Sequence, residues 1–317
     1  MIRYICKRLI SIILVLFGVA FLIFTIMYFS PGDPADFILG DMATADDKAL
    51  FRQQNNLDKP FIFQFIHYIN GILHGNLGTS YITRLPVLDE ILARISVTMK
   101  LSIISITIAS VIGVTLGIIS AVKQYSLTDN VIRILAMVGV SMPSFWEGLM
   151  LIILFSVILG VLPSSGIDSW KSWILPSFTL GTVSLASIMR IARSSMLEEI
   201  RQDYVVTARA KGQKEIYVIT KHVLKNAFLP IITAIGYNFS RHMGGAAVVE
   251  TVFSVPGIGK LLVDAIRVKN VPLVQGGVIF IAFFMTFINL AVDITYAFID
   301  PQIRSQYNSQ KSKRKEG

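Results

Sequence analysis

The sequence is poor in the residues that soluble proteins and enzymes depend on. It holds one cysteine, Cys6, so no disulfide can form within the chain and no cysteine-based metal site can be built. Charged residues make up 15% of the chain, against about a quarter in soluble domains. Much of the surface therefore need not face water. The four histidines, His67, His74, His222 and His242, are scattered. No H-E-x-x-H pattern and no G-x-S-x-G elbow is present, so no catalytic residue and no metal site is expected. The turn Gly257-Ile-Gly-Lys260 imitates the end of a phosphate-binding loop. The first glycine of that motif is here Ser254 and its final Ser/Thr is Leu261, so it reads as a turn before a short helix.

What is present is apolar. Hydrophobic residues are 53% of the 317, gathered in blocks long enough to cross a bilayer, which takes about 20 mostly apolar residues. Six segments qualify: roughly 9–29, 99–122, 134–160, 173–191, 229–252 and 275–299. Backbone polar groups in lipid must be satisfied internally, so these are expected to be helices. The first run follows Arg3, Lys7 and Arg8 as in a signal peptide. It is too long for one and lacks a cleavage pattern, so it reads as a retained span.

Orientation follows from Lys and Arg in the short connections. The N-terminus, the segment from Arg190 to Lys225 and the tail with Arg304 and Lys311–Lys315 are basic. With six spans all three share one side, expected to be cytoplasmic. The segment 30–98, carrying Asp33, Asp36, Asp41, Asp46, Asp47, Asp58, Asp89 and Glu90, is expected outside. The connection 253–274 disagrees, with Lys260, Arg267 and Lys269 against Asp264, and Gly259–Val268 suits a short helix dipping toward the membrane. The net charge of +9 thus reads as cytoplasmic loops and a tail facing membrane lipid rather than nucleic-acid binding. The expected divisions are a first span at 1–29, an extracytoplasmic segment at 30–98, a five-helix core at 99–305 and a basic tail at 306–317.

The connection at 192–228 is the most informative. Residues before Gly212 read as helix, Gly212 can take φ > 0 and end it, and Lys214–Leu224 resumes with Ile216, Ile219 and Val223 on one face. A helix–Gly–helix with a basic surface suits docking into a groove on a soluble partner. An ordinary positive-inside loop is the other reading. The segment Asp203-Tyr-Val-Val-Thr-Ala-Arg-Ala-Lys-Gly212, then His222-Val-Leu-Lys-Asn-Ala-Phe-Leu-Pro230, resembles the EAA loop of ABC importer permeases, in the variant of the dipeptide/oligopeptide/nickel family. The generic leading Glu is here Val206, as is common in that branch. Ser30-Pro-Gly-Asp-Pro34, Gly75-Asn-Leu-Gly-Thr-Ser80, Ser141-Met-Pro-Ser-Phe-Trp146, Glu250-Thr-Val-Phe253, Pro256-Gly-Ile-Gly259, Pro272-Leu-Val-Gln-Gly276 and Asp300-Pro-Gln-Ile-Arg304 extend the resemblance over nearly the whole chain.

The resemblance implies an all-α membrane protein with six transmembrane helices, a large extracytoplasmic segment after the first and a cytoplasmic coupling loop. It implies a homologous second permease, two ATPase subunits and an extracytoplasmic solute-binding protein. ATP and Mg would then belong to the ATPase partners, with no cofactor on this chain. Coupling contacts fall on Tyr204, Thr207, Ala208, Ala210, Lys211, Gly212, His222 and Leu224. Peptides, nickel chelates and glutathione share the scaffold, so the solute stays open. An ion-gradient carrier or channel is the alternative class, and it has no need of the loop. A membrane-embedded enzyme would need paired catalytic groups at one depth, and none is found.

Polar groups inside spans complete the candidates. Glu147, just after Pro143, is costly to bury and either contacts a cationic end of the solute or lies between helices. Arg241 and His242 either face the path or pair with Glu147 or Asp293, and Asn289 and Asp293 are expected to pair within the bundle. Gly113 and Gly117 form a G-x-x-x-G that favours close helix packing. Trp170, Trp173, Tyr4 and Tyr28 fall near expected membrane interfaces.

Overall fold

The computed structural model describes residues 2–40 and 42–299, with side chains described for 8–40 and 42–295. The tail after Ser305, the segment Asp300–Arg304, Asp41 and the side chains of Arg3, Tyr4, Cys6 and Lys7 lie outside the described residues. The described residues are 80% helical, with no strand among them. In order the helices are α1 (Ile2–Phe29), α2 (Pro34–Leu39), α3 (Ala45–Gln54), α4 (Phe61–Leu73), α5 (Val87–Val122), α6 (Leu127–Ser141) and α7 (Ser144–Leu151). A π turn at Ile152–Ile158 prolongs α7. After it come α8 (Ile174–Ile200), α9 (Asp203–Ala210), α10 (Glu215–Tyr217), α11 (Leu224–Val252), α12 (Ile258–Arg267) and α13 (Val271–Ile299). Among the described residues five helical segments are long and apolar enough to cross a membrane: Arg8–Phe29, Val87–Val122, Trp170–Ile200, Glu215–Val252 and Val271–Thr295. The bent pair α6–α7 makes a sixth if counted as one. Ile10, Ile13 and Leu14 of α1 are 68%, 67% and 73% exposed, an apolar surface that water does not tolerate but lipid does.

Three boundaries differ from the sequence reading. The second span starts at Val87, not near 99. Asp89, Glu90 and Arg94 dilute its apolar signal without interrupting the helix. At 36 residues and 1.5 Å per residue it is roughly 54 Å long, well beyond a hydrocarbon core of about 30 Å. The fourth span runs on to Ile200, so Arg193 belongs to a helix and not to the connection assigned to 192–228. The third segment is sharply bent rather than straight. Proline disfavours a helical residue before it, Met142 is extended at ψ 129, and α6 and α7 meet at 105°.

The chain forms two compact units, to which α5, α11 and α13 each contribute residues. One holds the chain up to Lys100 together with Met243–Thr286. Its core joins Val87 and Ile91 of α5, Ile258, Leu261 and Leu262 of α12, and Leu273 and Val274 of α13. Helices α1 and α4 meet through rings, with Phe24 centred 5.1 Å from Phe61 and 5.2 Å from Phe65. Asp33 caps α2, and α3 begins in a reciprocal capping box between Thr44 and Asp47. Lys48–Asp36 (2.8 Å) and Arg52–Asp33 ion pairs tie α3 to α2.

The other unit holds Leu101–His242 and the stretch from Phe287 on. Here the G-x-x-x-G packs as expected. A Cβ on Gly113 would sit 2.8 Å from the Leu185 carbonyl, and one on Gly117 would sit 2.8 Å from that of Met189, so α5 and α8 touch backbone to backbone. The same two helices are joined to α6 by a buried ion pair. Arg193 donates to both oxygens of Asp129, at 2.9 and 2.8 Å, and to Ser120 at 3.0 Å. Asp129 is fully buried. A fork-to-fork pair of this kind satisfies both groups' geometry, and losing one partner leaves an uncompensated charge.

Candidate functional site

The elbow around Gly212 is built from two short helices on a buried hinge. Val205 and Ala208 are the buried residues of α9. They pack with Met196 of α8, with Val218, Ile219 and Val223, and with Ala227 and Ile231 of α11. Lys211 ends α9, and Gly212 takes φ +75°, a conformation that glycine adopts without a Cβ penalty. Across the turn Arg209 grips Glu215 in two hydrogen bonds of 3.0 and 2.6 Å, and Gln213 Oε1 meets His222 Nε2 at 2.9 Å. Tyr204 donates to Glu199 at 2.6 Å. Burial, and then that carboxylate, push its phenol pKa upward.

The expected coupling residues therefore divide. Ala208 is buried and Tyr204, His222 and Leu224 are partly buried, so they shape the elbow, whereas Thr207, Ala210, Lys211 and Gly212 are exposed. Val206, at the generic motif's Glu position, is 60% exposed. Ile216 departs from its expected face: it is 69% exposed, while Val218, Ile219 and Val223 are buried. The wider π turn at Val218–Val223 shifts the register, so the α-helical spacing misplaces Ile216. The second arm of the elbow runs without a break into α11. Any force on the elbow is thus transmitted to a helix long enough to span the membrane.

The embedded polar groups do not converge. Glu147, 7% exposed, accepts from Thr182 at 2.6 Å, and its Oε2 has no hydrogen-bond partner among the described residues. His242 is buried and meets Ser184 at 2.8 Å. Thr182 and Ser184 are two residues apart on α8, roughly 200° around it, so Glu147 and His242 touch opposite sides of one helix. Arg241 is exposed and makes no ion pair with Glu147 or Asp293. Asp293 accepts from Tyr237 at 2.6 Å, within the bundle, while Asn289 Oδ1 has no partner among the described residues. Trp170 is 73% exposed, but Trp173 is buried.

The sequence reading assigned no role to Glu250. It is fully buried and accepts from Thr98 Oγ1 at 2.6 Å and from the Lys260 amide at 2.9 Å, while Thr98 itself accepts from the Ile258 amide at 2.9 Å. A Cβ on Gly257 would enter the carboxylate. The glycine turn that mimics a phosphate loop does close on an acidic side chain at a helix N-terminus; that side chain is Glu250 of the preceding helix. A carboxylate inside an apolar helix was the available signal. Among the described residues no group of three His, Cys, Asp or Glu could hold a metal ion.

Helices of this length, carrying a projecting elbow, define a polytopic membrane protein of the permease class. The family model described as "Binding-protein-dependent transport system inner membrane component" matches residues 113–305, and its N-terminal counterpart matches 1–102. The chain belongs to this family and is an inner-membrane permease of an ABC importer, a class that works with ATPase and binding-protein components. It is 43% identical over 304 residues to the glutathione transport system permease protein GsiC of Escherichia coli (strain K12), covering 96% of this chain and 99% of that one. It is 44% identical to the same-named protein of Salmonella typhi over the same shares. Among solved structures it resembles a chain of the MetNI methionine ABC transporter. The TM-score is 0.55 at 18% identity, covering 67% of this chain and 97% of that one. An amino acid ABC transporter matches at TM-score 0.50 and 18% identity, covering 68% and 94%. These two likenesses concern the fold.

Proposed function

We propose that this permease forms half of a translocation path for small peptides or peptide-like solutes, glutathione among them, with a homologous permease forming the other half. The relatives named for glutathione support that solute class. In this reading the elbow lies on the cytoplasmic side with both termini, and segment 30–98 lies outside, as the charge of the connections favours. Two ATPase subunits grip the elbow. Their closure swings α9 and α10, and because α10 runs into α11, the swing rocks the bundle between inward and outward openings as a rigid body. Of the three embedded polar candidates this reading sets the exposed Arg241 along the path, and Glu147 and His242, which touch opposite sides of α8, do not both line it. The single observation that carries the reading is the elbow itself. Val206, Ile216 and Tyr217 are exposed at 60%, 69% and 47% on a hinge held by the buried Val205 and Ala208.

Reconstitution of the full importer in liposomes tests this. Labelled glutathione or a dipeptide should accumulate only with ATP and the binding protein present. Solute movement by this chain without an ATPase subunit, or chemical labelling that puts residues 203–225 outside the cell, would overturn it.

A further inference from the structure

One unit holds a half-open cavity of about 320 Å³ among α1, the end of α3, α4, the loop at Asn76–Tyr81 and the start of α13. That volume is at the lower end of small-ligand sites. The composition of its wall is unusual. Six carboxamides line it, Gln54, Asn55, Asn56, Gln64, Asn76 and Gln275, and no Asp, Glu, Lys or Arg does.

Several of these amides are tied at one end and open at the other. Asn55 Nδ2 donates to the Phe51 carbonyl at 2.8 Å, and Gln64 Nε2 donates to that of Lys59 at 2.8 Å. Each therefore has its oxygen left to accept. Asn76 Oδ1 accepts from the Gly78 amide at 2.8 Å, which leaves its amino group to donate. Gln275 is 7% exposed, and its carboxamide takes no hydrogen bond among the described residues. Its backbone carbonyl accepts from Tyr68 at 3.4 Å. Tyr81 is 6% exposed, and its hydroxyl is likewise without a partner among the described residues. Neither polar atom is among the fully buried ones, so both residues are largely buried while their polar ends stay open to the cavity, where an entering group can reach them.

The wall is rigid. Asn270, 1% exposed, accepts from the Tyr81 amide at 3.0 Å and donates to Ser80 at 2.8 Å. These bonds pin the loop to the residues that precede α13. Pro272 packs where a Cβ of Gly78 would come within 3.3 Å.

We propose that this cavity is a binding site for an uncharged peptide-like segment, held through its main-chain amides. A carboxamide offers one acceptor and two donors, the complement of a peptide bond. A charged group would find no carboxylate, lysine or arginine on the wall, with His67 its one imidazole, so little there would compensate its lost hydration. The site rests on the reading that segment 30–98 faces the compartment from which solute arrives. Two sources can present this chemistry there: the transported solute, or a surface loop of the solute-binding protein.

The assembled importer in lipid nanodiscs serves for the test. Binding of acetyl-trialanine-amide is measured by calorimetry, and docking of the binding protein by surface plasmon resonance. Each is compared with Gln275→Leu, which keeps the side chain's bulk, and with Thr79→Trp, which fills the cavity from a looser wall. Co-purification of the ATPase subunits reports that each variant is assembled, and it also checks the elbow reading separately. The expected result is at least a tenfold weaker affinity in both variants for one of the two probes. Loss of peptide binding alone assigns the site to the solute, and loss of docking alone assigns it to the binding protein. Unchanged affinity for both probes in either assembled variant overturns the proposal, whichever solute the importer carries.

Discussion

Thr98 and Glu250 stand 152 residues apart in the chain and share a hydrogen bond of 2.6 Å in a fully buried setting. The bond does more than join α5 to α11. The Thr98 hydroxyl donates to the carboxylate and accepts from the first amide of α12, and the carboxylate accepts from the Lys260 amide of that helix. Three helices meet at one hydroxyl and one carboxylate. The free N–H groups of α12, which its own N-cap Gly257 cannot satisfy with a side chain, are covered from outside the helix.

Replacing Thr98 with valine keeps the shape and removes the hydroxyl. The Ile258 amide then has no acceptor and Glu250 loses a donor, so destabilisation of about 1–3 kcal/mol is expected. Thermal melting of the detergent-solubilised importer should rank wild type and Thr98→Ser together and Thr98→Val below them. A Thr98→Val melting point equal to that of the serine variant would remove the hydroxyl from the account.

Gly257 and Gly259 should resist the smallest possible substitution. A Cβ on Gly257 would enter the Glu250 carboxylate, and one on Gly259 would lie 2.7 Å from the Ala247 amide nitrogen. Gly245 has nothing within 4 Å of its Cβ position, and alanine there gains about 0.5–1 kcal/mol of helix propensity. Membrane yields of folded protein should fall sharply for Gly257→Ala and Gly259→Ala and hold for Gly245→Ala. Equal yields for all three would contradict the packing.

Gly212 calls for a different argument, because no atom lies within 4 Å of where its Cβ would be. Its requirement is conformational only. At φ +75° a β-branched residue is strained by about 1–3 kcal/mol, whereas asparagine tolerates the left-handed region. Gly212→Val should insert in the membrane but lose co-purification of the ATPase subunits, and Gly212→Asn should retain it. Retention by the valine variant would show that the elbow docks without this turn.

Acid should loosen α3 first. Asp47 is held below its ordinary 3.8 by hydrogen bonds from the Thr44 side chain and backbone. Asp36 is held below the same value by the hydrogen bond from Lys48. Folded-state values below the unfolded ones mean that the stabilisation is complete above about pH 3.8. It is lost as pH falls through the lower folded values. Both groups lie at the surface, so the effect is local. Hydrogen exchange across 45–54, corrected for the intrinsic rate, should show protection lost below that pH. In Asp47→Asn protection should be weaker at neutral pH and change less with acid.

The elbow was legible in the sequence because its causes are local. Alanines at helix-forming positions, one glycine where the backbone must turn left-handed and a basic surface all lie within about twenty residues. The break in the third segment has a local cause too, since Pro143 acts on the residue before it, but the apolar run from 134 to 160 reads straight through it. The 105° angle was not legible, because it depends on how α6 and α7 each pack on α8. Hydropathy likewise missed the first three turns of α5, where charges sit on a helix that its neighbours hold. Helical spacing misplaced Ile216 because nothing in the sequence announces a π turn.

By itself the sequence determined that this chain lives in a membrane and that a glycine-broken helical elbow stands between two of its spans. Apolar length and backbone conformational preference are properties of consecutive residues. Only the tertiary structure decided that Glu250 answers Thr98, that Arg193 answers Asp129 and that six carboxamides share one cavity. Those partners are 152 and 64 residues apart or come from separate helices. Inside a water-poor bundle each buried polar group must find a partner, and which one it meets is settled by the packing of whole helices.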